Sequence, residues 1–374
     1  ASVHLCGALK ADDKGEQSPL IVDDALGRHG GIEIRDGVRI QPHSRTAEAD
    51  KLYNLQLWQA GTTFPLRLEL LLYEPKKDDE EDNGEGVKKA LATALAGLNS
   101  NGITLGARKR RGYGQISVAG WRVQIYDLKN ANDLCAWLAH GDQPLDQTAP
   151  VSDIFTALGV QRGMSDARQF YHIEATFGLD TSLLIRAGGG RDDSGPDMAH
   201  LHARQKNGSV TPIISGTSLG GALRARALKI ARTLTTQARA TALIDQMFGV
   251  DMSGATKPSA SRVRVHETAL KQARADLVQH RVSIDRFTGG ARETALFSEQ
   301  PVFGGPDTTL TMDLCLVNPQ DYEIGLLLLV LKDLWTSDVP LGGESSVGRG
   351  RLQGREAHLT NQEGGMMHTW DIVV

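Results

Sequence analysis

Two blocks of this sequence occur twice, in the same order, and a chain that repeats a unit of this length has to fold that unit twice. Laid without a gap over RVSIDRFTGGARETALFSEQPVFGGPDT (281–308), the segment GVRIQPHSRTAEADKLYNLQLWQAGTTF (37–64) brings Val38 to Val282, Ile40 to Ile284 and Ala47 to Ala291. It also brings Leu52 to Leu296, Tyr53 to Phe297 and Gly61 to Gly305. Downstream, TLGARKRRGYGQI (104–116) falls on PLGGESSVGRGRL (340–352), pairing Leu105 with Leu341, Gly106 with Gly342, Gly112 with Gly348 and Gly114 with Gly350. The offsets are 244 and 236 positions, close enough for one unit carried in two copies.

Those offsets set the expected domain plan. A first unit covers 1–128, a short amphipathic helix (ANDLCAWLAHG) and a Pro/Asp-rich linker (DQPLDQTAP) fill 129–167, and a second unit covers 168–374. By the same arithmetic residue 1 corresponds to about residue 243, so the first unit is expected to lack the opening part of the second.

Local patterns refine the second unit. QFYHIEATFGLDTSLLIRAGG (169–189) alternates like a strand with one buried face. RDDSGPDMAHLHARQKNGSVT reads as a long, polar, irregular loop. VTPIISGTSLGGALRARALKIARTL passes from a short strand through a Gly/Ser bend into a helix with Leu219, Leu223, Ala227, Ile230 and Leu234 on one face. A bend of that kind presents free backbone N–H groups and the positive end of a helix dipole, which suits a phosphate as well as an ordinary cap. In SIDRFTGGARETALFSEQPVFGG (283–305), Thr288-Gly289-Gly290 between apolar ends predicts a hairpin.

Composition narrows the setting. No run of about 18 uncharged apolar residues occurs, the longest candidate being GLLLLVL at 325–331, and no signal peptide is visible, so the chain reads as cytoplasmic with no membrane role. Cys6, Cys135 and Cys315 are the only cysteines and form no CxxC, against a disulfide frame or a zinc site. The net charge of −4 argues against a nucleic-acid binder only on average. Six carboxylates sit in KKDDEEDNGEG (76–86), a solvated loop by composition, and without them the balance is +2. Arg108-Lys109-Arg110-Arg111, flanked by glycines, is the densest basic cluster, either a solvated turn or a phosphate-binding loop.

Taken in order, GTSLGGALRAR (216–226), SASRVRV (259–265), SIDRFTGGARETALFSEQPVFGG (283–305) and LGGESSVGRGRL (341–352) resemble the RAMP proteins of CRISPR systems, and most of all the repeated backbone subunits of type III effector complexes. The first unit carries the same set from SPLIVDDA (18–25) onward. The resemblance implies an α+β fold of two RRM-like, ferredoxin-like units in tandem, each with a glycine-rich loop and a protruding hairpin thumb. It also implies a ribonucleoprotein complex for antiviral defence, in which the chain binds a guide (CRISPR) RNA, holds its duplex with target RNA, and stacks beside other RAMP backbone subunits and the large subunit.

The expected RNA contacts are Lys109, Arg110, Arg111, Ser218, Arg224, Arg226, Arg262, Arg286, Phe287, Arg292, Arg349 and Arg351, with Leu296 and Phe297 packing at the thumb. The resemblance further implies an endoribonuclease whose aspartate precedes the Gly/Ser bend. Asp197 sits at that place, with Asp192 and Asp193 as alternatives, and a divalent cation such as Mg2+ or Mn2+ is the expected cofactor for target cleavage. Gln41 and Pro42 replace Asp285 and Arg286 in the first thumb, a departure from the pattern. Two other readings stay open. One is an RNA scaffold without cleavage; the other is a guide-processing RAMP ribonuclease, which wants a His near a helix N-terminus where His172, His200 and His202 do not fall.

Overall fold

The computed structural model describes residues 5–7, 17–41, 46–73, 84–99, 102–141, 145, 149–163, 167–187, 195–250 and 259–373. In chain order the strands are β1 (Leu20–Val22), β2 (Ile32–Ile40), β3 (Ala47–Trp58), β4 (Leu68–Leu70), β5 (Phe170–Leu179), β6 (Arg186–Ala187), β7 (Met198–His200) and β8 (His202–Arg204). They continue as β9 (Val210–Ile214), β10 (Val263–Val265), β11 (Thr268–Ala269), β12 (Gln279–Ile284), β13 (Ala291–Gln300), β14 (Thr309–Val317), β15 (Leu352–Glu363) and β16 (Met366–Val373). The helices are α1 (Glu85–Ala96), α2 (Ala131–His140), α3 (Ile154–Leu158), α4 (Gly216–Leu234), α5 (Gln237–Phe248) and α6 (Asp321–Trp335).

Packing gathers these elements into two units that do not follow the chain. One holds 1–26, 64–107 and 114–165; the other holds 27–63, 108–113 and 166–374. The first copy's hairpin and basic cluster therefore pack with the second copy, which a division at 128 and 168 does not anticipate.

The larger unit is built on the sheet β10-β14-β5-β15-β16. Numbered 1 to 4 along the chain, β5, β10, β14 and β15 lie in the order 4-1-3-2, with α4 following the first strand and α6 the third. This is the ferredoxin-like arrangement of an RRM-like fold, with β16 added at the edge. Sequence alternation explains the sheet: Leu310, Met312, Leu314 and Leu316 of β14 point into the core and Thr311, Asp313 and Cys315 point away. Across from them Ile173, Ala175 and Phe177 of β5 meet Leu219, Leu223 and Ala227 of α4 and Leu327, Val330 and Leu334 of α6. Burying each large side chain stabilises the fold by roughly 1.5–3 kcal/mol. Leu234, on the apolar stripe of α4, lies past the sheet and stays exposed. Helix α6 begins with a reciprocal cap between Gln320 and Glu323, and ends at Trp335, whose ring packs edge-on to Phe177 at 5.9 Å. That ring lies where any side chain at Gly354 would sit, so only glycine fits there.

The polar stretch read as irregular contains β7 and β8. They are three-residue strands held mainly by pairing to β6, β9 and β13, too short to show a period. β12 and β13 form the expected hairpin, inserted between β10 and β14. Its turn is longer than Thr288-Gly289-Gly290: Asp285 Oδ1 accepts from the N–H groups of Phe287 and Thr288, at 3.0 and 2.8 Å, and Gly289 takes φ +68°.

In the smaller unit β1 pairs antiparallel with β4, and α1 contributes Ala92 to a small core with Ile154, Phe155 and Val160. The segment expected to be a joint is thus partly core: Asp153 caps α3 through Thr156 N–H at 3.0 Å, and α3 buries Ile154 and Phe155. Among the described residues no helix is long and apolar enough to cross a membrane.

Candidate nucleic-acid interface

The two copies share the register of their hairpins and the backbone of their glycine-rich loops. In each hairpin the register slips at the same place: Val38↔Leu52 and Ile40↔Ala47 in the first, Val282↔Leu296 and Ile284↔Ala291 in the second. In each glycine-rich loop a left-handed residue, Arg108 (φ 55°) or Glu344 (φ 58°), opens a short 3-10 turn closed by Gly112 or Gly348. Leu105 N–H to Gly114 C=O, and Leu341 N–H to Gly350 C=O, are both 2.9 Å. A side chain at Gly114 or Gly350 would run into the carbonyl of Leu105 or Leu341, and both adopt positive φ, so the glycines are fixed by close approach.

The first loop's basic cluster rests on α4. Ser215 caps that helix through Ser218 N–H, and its hydroxyl also meets those of Thr217 and Ser218, each at 3.0 Å. The carbonyl of Arg111 lies over Gly216 and its guanidinium over Gly220, close enough that a Cβ at either would collide. A cation beside the N-terminus of a helix adds to the positive end of the dipole rather than offsetting it. Burial, then the charges of Arg224 and Arg108, pull the Arg111 guanidinium below its ordinary value; burial, then Arg264, does the same to Arg110. Nη1 of Arg110, Nη1 of Arg111 and Nε of Arg264 are buried with no hydrogen-bond partner among the described residues. Such groups cost about 1–3 kcal/mol each unless an acceptor arrives. Lys109 is exposed on the same turn.

Five of the arginines expected to hold RNA in the second copy are engaged within the chain. Arg349 is 3% exposed; its Nε donates to Glu344 at 2.7 Å, Nη1 to Ser182 at 2.7 Å, and Nη2 to Gln279 and Glu299 at 2.8 and 2.9 Å. Arg226 pairs with Asp333 at 2.6 Å, and Arg224 donates to Asp245 and to the Gly249 carbonyl at 2.6 and 2.7 Å. Arg262 holds buried Glu323 and the Asn318 carbonyl, and Arg351 donates to the Ser337 carbonyl at 2.5 Å. Arg286 and Arg292 are exposed on the hairpin, Phe287 stands 95% exposed at its tip, Leu296 is exposed and Phe297 half-buried.

Asp197 lies at the root of that hairpin. β7 runs parallel to β13, and Asp197, just before it, is tied to Ser298: Ser298 N–H and Oγ donate to Asp197 Oδ2 at 2.7 and 3.0 Å, and Asp197 N–H donates to Ser298 Oγ at 3.0 Å. Those hydrogen bonds hold the carboxyl below the usual carboxylate range. Asp192 and Asp193 lie outside the described residues. Among the described residues no three His, Cys, Asp or Glu side chains converge as cation ligands, and Asp197 brings a single carboxylate to its site. His200, His172 and His266 have partners within the protein. His200 is 1% exposed, accepts from Ile185 N–H at Nδ1 and meets the Ile213 carbonyl through Nε2, and burial pushes it down to about 4. His172 and His266 both clasp Asp313, at 2.9 and 3.0 Å.

Sequence reasoning missed Arg264 and Arg108. Arg264 shares the parity of Arg262 in SRVRV, so alternation alone puts both on the outer side of that strand. Arg108 was read as a member of the basic cluster without a role of its own, whereas it stacks over Tyr53 at 4.5 Å and donates to its hydroxyl at 2.7 Å.

The family model for the RAMP superfamily matches residues 5–117 and 176–353, most of the chain and one stretch in each copy. No curated protein matches it.

Proposed function

The chain belongs to the RAMP superfamily, and from that premise we propose that it is a backbone subunit of a type III CRISPR effector complex that grips a guide RNA and cuts target RNA beside the second hairpin. The observation that carries the RNA-binding part is the arginine cluster against the start of α4. Buried guanidinium nitrogens with no acceptor among the described residues, beside a helix N-terminus, suit a phosphate. An assembly whose specificity comes from base pairing needs only backbone contacts of this type, and base-reading side chains are not required. Asp197 supports the cleavage part by its place at the root of the thumb, where a splayed target strand would lie; it would act as a fixed carboxylate orienting the ribose or its water.

The test is the complex carrying Arg110→Ala with Arg111→Ala. RNA affinity should fall by about tenfold or more, equally for unrelated guide sequences, with a salt slope shallower by roughly 0.7 per lost contact. Unchanged affinity and slope would remove this loop from the interface. In the same preparations Asp197→Ala should lose one cut of a target ladder while binding persists; a full ladder would leave the chain a scaffold.

A further inference from the structure

Three side chains stand in a row across neighbouring strands at the root of the second hairpin. Asp197 is bonded to Ser298, and Ser298 on β13 stands directly opposite His280 on β12. Directly opposed residues of an antiparallel pair share a face. The outer two backbones are therefore two strand spacings apart, about 10 Å, with side chains pointing to the same side. That gap is the width of a ribose and its phosphate. His280 is exposed, and its charge is felt at Asp197.

Resting on the reading of Asp197 as a cleavage residue, we propose that His280 is the general base of the cut, with Ser298 as the link that holds Asp197 in line with it. The division of labour follows from chemistry. A carboxylate that accepts two hydrogen bonds from Ser298 is a weak proton acceptor at neutral pH, whereas imidazole is the side chain most often used as a general base. Asp197 Oδ1 has no partner among the described residues and is left to orient the 2′-hydroxyl. His280 takes the 2′-hydroxyl proton, the 2′-oxygen bonds to the adjacent phosphorus, and the P–O5′ bond breaks. Water protonates the departing 5′-oxygen, and the hydroxide so formed takes the proton back from the imidazolium. The products are a 2′,3′-cyclic phosphate and a 5′-hydroxyl.

The first hairpin makes the contrast within the same chain. At an offset of 244 its opposed pair is Asp36 and Asn54, with neither imidazole nor hydroxyl. The test uses the complex purified with its guide RNA and an end-labelled RNA complementary to that guide. His280→Ala should slow the one cut lost in Asp197→Ala by 100-fold or more and leave guide and target binding unchanged, with added imidazole restoring part of the rate. His280→Gln, which keeps a polar side chain, should fail like the alanine. A cut within threefold of the parent in His280→Ala, while Asp197→Ala loses it, overturns the assignment of His280 alone. A full ladder in Asp197→Ala overturns the cleavage reading and this inference together.

Discussion

The two glycine-rich loops have one backbone and opposite ways of holding their hairpins. In the first, hairpin Arg35 lies over loop Tyr113 at 5.6 Å, and loop Arg108 stacks on hairpin Tyr53. In the second, loop Arg349 donates to hairpin Gln279 at 2.8 Å, the same two positions as Tyr113 and Arg35, and loop Glu344 meets Arg281 at 3.3 Å, the residue paired across the hairpin with Phe297, the counterpart of Tyr53. The cation has moved from hairpin to loop in one pair and from loop to hairpin in the other. What the backbone demands is that loop and hairpin be tied at these two points; which side carries the charge is free. The consequence lies between the ties, where the first loop presents Lys109, Arg110 and Arg111 and the second presents Ser345, Ser346 and Val347. One copy offers unmatched positive charge, the other closes its charges on itself.

The sharpest way to break this comparison is Arg349→Ala. It takes one of two cations from Glu299, fully buried, already pushed toward protonation by burial and Glu344 and left with Arg281 at 3.3 Å, so the loss should approach the roughly 3–5 kcal/mol of a broken buried pair. Tyr113→Ala at the equivalent position removes a ring under a cation that keeps its ion pairs with Glu33 and Glu267, and should cost only about 1 kcal/mol. Equal losses in thermal melts of the two variants would mean that the ties are equivalent after all. Next in size is acid sensitivity of the second copy. Folded His200 titrates near 4 and an unfolded histidine near 6.5, so the stability it contributes is complete above about 6.5 and is lost as pH falls towards 4. The loss should approach about 3 kcal/mol, and denaturant unfolding at pH 7, 5.5 and 4.5 should show it, with His200→Gln flattening that slope. A parent protein equally stable at the three pH values would contradict the buried neutral imidazole. Smallest is Tyr53→Phe, which makes the first hairpin match Phe297. Losing the exposed hydrogen bond from Arg108 should cost about 0.5 kcal/mol while the stacking survives.

Much of this was legible in the sequence because repetition is read at the level of backbone. The offset of 244 pairs the residues flanking the register slip in both hairpins, and the offset of 236 pairs both left-handed loop residues. Helix α4 was legible from its apolar spacing. The roles of side chains were less so, since a role is a matter of partners far along the chain. Nothing near Arg349 in sequence announces Ser182, Gln279 and Glu299 around it, and 101 residues separate Asp197 from Ser298. An arginine between glycines therefore looked like a phosphate contact, while the polar run around His200 hid strands whose hydrogen bonds come from elsewhere. Asp192, Asp193 and most of the acidic run at 76–86 lie outside the described residues.

The hairpin of residues 27–63 belongs to one copy by sequence and to the other by packing: Arg35 is buried on Glu267, and Gly112 abuts His266 and Glu267. The physical seam of the molecule thus crosses the genetic one. A gene split between the copies, near 150, would yield a second fragment that exposes the seat of a hairpin it no longer owns, and a first fragment with a hairpin in search of that seat. The two halves would behave as lock and key and would be expected to find one another again in solution, so the fusion supplies a permanent local concentration for a bond that the repeats already know how to make.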